Sequence, residues 1–261
     1  MFYVTLQKYN ESMRVLTYAF FLAISLNAYG QTDCIGPDFN DDGQIGSADL
    51  IVFLSYYGNE WPLSAEFVCG EAITHHDYSY QTVQVGDQCW FAENLRYLPQ
   101  IDLPDDGSLT EPRYYVYYAF EGTIDEPPAI NNYNNFGVLY NFPAVVSSEI
   151  CPQDWHVPSD DDWNEVIDLF GGEWNASPAL RAESWYNGTN ESGLSCLPGG
   201  QRHSLGNYAL AGNGGYYWSS TSSGFTDEAW NRYMYPSIEE YWVDRSSISY
   251  EIGMSARCIK D

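Results

Sequence analysis

The clearest periodic signal in the chain lies between residues 159 and 172. Trp163, Val166, Ile167 and Phe170 recur at the spacing of one helix face, behind Ser159 as N-cap and Asp160, Asp161 and Asp162 as a negative first turn. Gly171-Gly172 predicts its end, and Ser177-Pro178 predicts the start of a second, short helix. A third stripe, Leu50, Phe53, Leu54 and Tyr57, predicts a helix over residues 48–57, capped by Ser47 and stopped by Gly58. Elsewhere the pattern is that of strands. Residues 80–85 and 88–91 flank a Gly86-Asp87 turn and predict a hairpin. Residues 138–141, 215–221, 228–235 and 253–259 predict further short strands. Few helices among many short strands predict an α+β fold.

The N-terminal pattern belongs to neither class. Lys8 and Arg14 precede an apolar run at residues 15–26, followed by Asn27-Ala28-Tyr29-Gly30. This is the order of a signal peptide, with Ala28 at −3, Gly30 at −1 and cleavage expected after Gly30. The run is shorter than the ~20 residues a membrane span requires. Residues 1–30 are therefore read as a leader, and the protein as secreted, periplasmic or cell-surface with no membrane span. The formal charge of the whole chain is −26, and the leader carries more basic than acidic side chains, so the remainder is slightly more negative still. Such a surface repels phosphate backbones, which excludes nucleic acid as a partner. All six cysteines (Cys34, Cys69, Cys89, Cys151, Cys196, Cys258) follow the leader, and an even count in that context predicts disulfides.

The residues 38–49, DFNDDGQIGSAD, carry the most specific chemistry. Asp38, Asn40, Asp42 and Asp49 fall at loop positions 1, 3, 5 and 12, Gly43 sits at the sharp turn of position 6, and Gln44 offers its backbone carbonyl at position 7. That spacing gathers the oxygens a calcium ion requires, so calcium is the expected cofactor. With the helix that follows, the segment resembles a dockerin type I repeat. Dockerins carry two repeats to grip a cohesin. The best second candidate here, residues 102–113, has Pro104 and Arg113 at ligand positions. The resemblance thus implies a calcium-stabilised mini-module at residues 31–72 and leaves cohesin docking unsupported. Cys34 and Cys69 bracket the loop and are expected to pair, because so short a segment buries too little core to fold unaided. The other four cysteines permit three pairings, of which Cys151–Cys258 with Cys89–Cys196 is favoured.

Beyond a connector at residues 73–79, blocks at residues 80–98, 136–143, 150–164, 192–203, 215–222, 228–235 and 253–261 include GDQCWFAENLRY, GVLYNFPA, CPQDWHVPSDDDW, GLSCLPGGQR and MSARCIK. In that order they resemble the Fibrobacter succinogenes major paralogous domain over residues 78–261. The family is similar in pattern to the C-type lectin-like and formylglycine-generating-enzyme fold. The resemblance implies an irregular domain over residues 80–261 with a twisted antiparallel sheet, long loops and terminal strands brought together. It implies no biochemical activity, and fold by itself supplies none.

Catalytic constellations are not found. Formylglycine chemistry needs two neighbouring cysteines, and Cys258 has none a few residues upstream, so half a disulfide is its better reading. His75 and His76 fall in the connector, and His156 precedes the capped helix in a structural context; there is no Gly-x-Ser-x-Gly elbow and no His-Glu-x-x-His helix. The calcium-lectin loop is also missing. Glu126-Pro-Pro and Trp230-Asn-Arg stand in its places, with Arg232 where a carboxylate is required. What remains is an aromatic-rich chain. Tyr133, Tyr186, Tyr216 and Tyr217 are candidates to stack on sugar rings, whereas Trp155, Trp163, Trp218 and Trp230 are expected in the core. The reading is a secreted, non-catalytic binding or display protein that recognises a polysaccharide or a cell-surface partner. A carbohydrate-active or protein-modifying enzyme without a recognisable motif is the alternative. Two or three exposed rings on one face would favour the first, and a deep pocket with a perturbed acid or base the second.

Overall fold

The computed structural model describes residues 44–56, 67–125, 127–235 and 242–261. The chain divides into two compact units, Met1–Glu66 and Phe67–Asp261. The described part of the first is one helix, α1 (Ser47–Tyr56), shifted by one residue from the predicted span. Asp49 is buried, and its Oδ2 accepts the Gly46 N–H at 2.5 Å, tying the preceding loop to the first turn. Leu50 and Leu54 of the predicted stripe are exposed. The leader, Cys34, Asp38, Asn40 and Asp42 lie outside the described residues.

The second unit is mixed α+β, mostly β, and built from small antiparallel sheets. Its first half runs β1 (Ile73–His75), β2 (Tyr78–Tyr80), β3 (Thr82–Val85), β4 (Gln88–Phe91), β5 (Tyr114–Tyr115), α2 (Ala129–Phe136), β6 (Leu139–Tyr140), α3 (Phe142–Val145) and β7 (Trp155–His156). The second half runs α4 (Asp160–Leu169), α5 (Ser177–Leu180), β8 (Gln201–Arg202), β9 (Tyr208–Ala209), β10 (Gly215–Ser222), β11 (Glu228–Met234), β12 (Asp244–Ser249) and β13 (Ile259–Lys260). A four-stranded sheet has the order β3-β4-β13-β7, and a three-stranded one the order β10-β11-β12. The C-terminal strand β13 thus sits beside β4 near the start of the unit.

β4 explains why the core has two halves. It is buried on both faces, and its side chains alternate, as strand side chains must. Cys89 and Phe91 enter one cluster with Tyr80, Tyr140, Trp218 and Met254. Trp90 points into the other, where the α4 stripe of Trp163, Val166 and Ile167 packs over it and the Trp90 and Trp163 ring centroids are 4.9 Å apart. α4 starts as its sequence predicts: the Ser159 hydroxyl accepts from Asp162 N–H, and the Asp162 carboxylate accepts from Ser159 N–H at 2.8 Å, a reciprocal cap. Gly171 and Gly172 end it at φ of 94° and 80°.

Three sequence-based expectations change. The connector at residues 73–79 is instead the β1–β2 hairpin, with His76 and Asp77 at positive φ in its turn. Two His side chains flank that hairpin end, and Nε2 of His75 and His76 lie 3.2 and 3.1 Å from the Ile150 and Glu149 carbonyl oxygens. Residues 253–259 form no continuous strand, because they cross between sheets: Gly253, Met254, Ser255 and Ile259 bridge to Arg202, Tyr140, Tyr217 and Trp90 respectively. Finally, Cys69 pairs with Cys89, in place of Cys34–Cys69 and Cys89–Cys196. Gly70 N–H donates to Thr82 Oγ1 (2.9 Å), and that hydroxyl donates to the Glu71 carbonyl (2.6 Å), which holds Cys69 against the β3–β4 hairpin. Cys196 is a free, buried thiol, pushed up in pKa by burial. The expected Cys151–Cys258 bridge is present, 107 residues apart in sequence.

Four arginines, Arg181, Arg202, Arg232 and Arg257, are fully buried. Arg257 donates to Phe91 O (3.0 Å), Leu194 O, Asn94 Oδ1 (3.0 Å) and Ser195 O (3.0 Å), joining the N-terminal hairpin to the 194–195 segment. Arg202 donates to the carbonyls of Pro104 and Glu251, both at 2.7 Å. Backbone carbonyls in irregular loops need donors once water is excluded, and guanidinium groups supply several each.

Candidate functional site

The structure scatters the residues that sequence singles out. Tyr216 and Tyr217 are core residues, the latter fully buried with its Oη donating to Leu197 O at 2.8 Å. Strand β10 alternates, but its first five residues are buried on both faces, and both rings lie in the core. Tyr133 is half-buried beside Arg96, and Tyr186 is exposed. Trp155, Trp163 and Trp218 are buried as expected. Trp230 is partly exposed and lies under the Arg245 guanidinium, 3.4 Å from its centroid. Arg232 and Arg245 both clasp Asp160, at 2.7 and 2.8 Å. Burial opposes the charged form of Asp160, but the hydrogen bonds from Arg245 and Arg232 outweigh it and hold the carboxyl low. His156 lies between Asp261 (2.5 Å) and Asp162 (3.3 Å) at the surface. The Asp162 hydrogen bond is the chief cause that raises the imidazole, and His156 in turn lowers Asp162 to about 2. Cys258 is bridged to Cys151, so no thiolate stands there.

A site that the sequence reading missed forms after β5. Val116 and Ala119 turn inward, fully or almost fully buried, and Ala119 N–H bonds back to Val116 O at 2.9 Å. Tight turning throws the alternate residues outward: Tyr118 is 44 % exposed and Phe120 is 55 % exposed. Tyr118 has a φ of 71°, a conformation that costs a bulky side chain of order 1–3 kcal/mol. Tyr208 of β9 completes the face, with its ring centroid 4.8 Å from Tyr117, 5.6 Å from Phe120 and 6.4 Å from Tyr118. Tyr117 is buried beneath and stands edge-on to Tyr118 at 4.8 Å. Burial pushes the Tyr208 phenol up, so it stays protonated. The adjoining 203–207 turn rests on Pro104 and Asp105, leaving no room for a side chain at Gly206, and presents Leu205 to solvent. Two exposed rings, Tyr118 and Phe120, thus form a platform with half-buried Tyr208 over buried Tyr117, the planes of the first three inclined to one another by 48–71°. The only sequence signal for it is the density of rings in Tyr117-Tyr118-Ala119-Phe120, whose partner lies about ninety residues away.

A cleft of about 640 Å³ opens nearby in sequence, lined by Phe136, Trp185, Tyr186, Pro198, Gly212 and Asn213 among others. Trp185 is almost fully buried, whereas Tyr186 is half exposed. Among the described residues the lining contains no carboxylate, imidazole or thiol. Asp160, His156 and Asp162, each shifted in pKa, lie elsewhere. The cleft offers ring faces, the hydroxyls of Ser184 and Tyr186 and the amide of Asn213.

Charge sharpens the distinction. Besides the four buried arginines, Arg96 and Arg113 approach Glu93 and Asp102, and Arg245 pairs with Asp160. By contrast, Asp105, Asp106, Glu111, Glu121 and Asp125, which flank the platform in sequence, are exposed. The described part of the protein thus keeps most of its cations inside or paired and shows its anions to solvent. Among the described residues no group of His, Cys, Asp and Glu is placed to hold a metal ion; of the expected calcium ligands only Gln44 and Asp49 are described.

A family model described as the Fibrobacter succinogenes major domain matches residues 83–260. No curated protein and no solved structure matches the chain.

Proposed function

The chain belongs to the Fibrobacter succinogenes major domain family, and we propose that its large unit is a non-catalytic polysaccharide-binding module of C-type lectin-like fold, carried on a secreted protein. The observation that carries this reading is the ring platform of Tyr118, Phe120 and Tyr208. Exposed ring faces offer C–H-rich sugar faces an apolar surface, and clustered exposed rings rimmed by polar residues mark binding sites. The strained Tyr118 backbone supports the same reading, because strain persists where a side chain must be held in place. Calcium enters elsewhere. Asp38, Asn40, Asp42, the Gln44 carbonyl and Asp49 would hold it in the small module, stabilising that module and leaving the platform indifferent to it.

The test is binding of the full secreted chain to a panel of insoluble and soluble polysaccharides, for wild type and for Phe120→Ala. Truncating a ring that stacks on the ligand should weaken binding about tenfold, which is ~1.4 kcal/mol. Binding should survive chelator. Unchanged affinity in Phe120→Ala would remove the platform from the site, and loss of binding in chelator would bring a metal into it.

A further inference from the structure

We infer that the platform and the cleft are two ends of one binding path, which takes several consecutive units of an uncharged polysaccharide chain. This rests on the polysaccharide-binding reading and extends it to a second site and a ligand class. The link is the segment 208–213. Tyr208 belongs to the platform; Tyr208 and Ala211 both pack against the cluster of Tyr115, Tyr117 and Leu139, and the Ala211 N–H points at Tyr117 Oη at 3.4 Å. Gly212 and Asn213 then line the cleft. Gly212 N–H bonds Pro198 O at 2.8 Å, while Asn213 and Gly214 N–H bond Leu210 O at 3.0 and 2.8 Å, so the segment is fixed in place. Five residues span at most roughly 17 Å, short enough for one oligosaccharide to cover.

Backbone strain marks the same path. Nine non-glycine residues among those described have positive φ, and seven are Asp, Asn, His or Ser, types that tolerate it. The two bulky ones are Tyr118 and Leu210, at 71° and 69°. One presents a platform ring, and the other shapes the turn that carries Asn213 to the cleft. Among the described residues no cation lines the path, so a polyanion finds no partner there. Arg202, the guanidinium behind it, is fully buried and held by Pro104 and Glu251 carbonyls. The exposed acids of residues 105–125 would repel a polyanion.

Calorimetry on the full chain, with glucomannan disaccharides and octasaccharides and with polygalacturonate, tests this. The octasaccharide should bind at least tenfold more tightly than the disaccharide. Phe120→Ala and Tyr186→Ala should each weaken octasaccharide binding about tenfold, and polygalacturonate should not bind at physiological salt. Both altered rings are half exposed, and unchanged near-ultraviolet dichroism would verify folding. If Tyr186→Ala binds the octasaccharide like wild type while Phe120→Ala does not, the path ends at the platform and this inference fails, with the broader reading intact. Polygalacturonate binding as tight as glucomannan binding would overturn the ligand class. If no polysaccharide in a wider panel binds wild type, the broader reading falls with it.

Discussion

The α4 region and the 117–120 platform use the same residue types to opposite ends. Around α4, Trp90, Trp163 and Tyr217 are fully buried, and Asp160 is closed in by Arg232 and Arg245. At the platform Tyr118 and Phe120 face water, Tyr208 is half-buried, and acids in the flanking sequence are exposed. The difference lies in the backbone. An α-helix and paired strands repeat their geometry, so every third or fourth, or every second, side chain is driven to the same interior. The platform backbone is a tight turn with a positive φ, which places rings outside at a local cost that packing elsewhere offsets. A ring in this protein is therefore structural or functional according to the geometry that carries it, not according to its type.

Breaking the buried side of that comparison should produce the largest effect. Arg257→Ala would leave the carbonyls of Phe91, Leu194 and Ser195, and Asn94 Oδ1, without their donors in a water-free interior. The expected loss is about 3–5 kcal/mol in denaturant unfolding; a loss under ~1 kcal/mol would mean that water replaces the guanidinium. The Cys151–Cys258 bridge ranks next. Cys151→Ser with Cys258→Ser should lower stability by about 2–4 kcal/mol, the range for constraining a long loop in the unfolded chain. An unchanged denaturation midpoint would show that the unfolded chain is already constrained. On the exposed side, Phe120→Ala should move stability by less than ~0.5 kcal/mol, because the ring buries little. A large drop in melting temperature would place Phe120 in the core and abolish the contrast.

The smallest effect is electrostatic and depends on pH. His156 has a raised folded pKa, so its pairing with Asp162 and Asp261 stabilises the protein below the ordinary histidine value of ~6.5 and is lost as pH rises through the raised value. Asp162, lowered to about 2, contributes above the ordinary aspartate value of ~3.9 and loses its contribution as pH falls toward 2. The difference in stability between wild type and His156→Gln should thus be greatest between about pH 4 and 6.5. With the imidazole about two-fifths exposed, it should stay under ~1 kcal/mol. A difference that grows above pH 7 would contradict the assigned ion pairs.

Legibility in sequence follows the same divide. α4, with its Ser159–Asp162 cap and glycine stop, and the β3–β4 hairpin were readable because each is specified by neighbours within a dozen residues. The α+β class followed from counting such segments. Cys69 was not readable as a partner of Cys89, since the pairing depends on Thr82 fastening the 69–71 segment to β3. Strand β12, which completes the three-stranded sheet, carries Asp244-Arg245-Ser246-Ser247-Ile248-Ser249, a run with no apolar alternation to announce it. Least readable was the platform: Tyr118 and Tyr208 meet only through the tertiary fold, and a positive φ at a tyrosine has no sequence signature. Tyr216 and Tyr217 misled for the converse reason, because an aromatic doublet on a strand is equally suited to a sugar or to a core.

The central claim, that exposed rings rather than a metal or a catalytic group carry the function, is tested most directly by one comparison. Wild type and Tyr118→Ala/Phe120→Ala are titrated with the same neutral polysaccharide, in calcium and in chelator. The account predicts that the double variant loses binding at least tenfold, the two rings being in contact at 5.7 Å and so not additive, and that chelator changes neither protein's affinity. Equal binding by the two proteins, or binding that chelator abolishes, would contradict it.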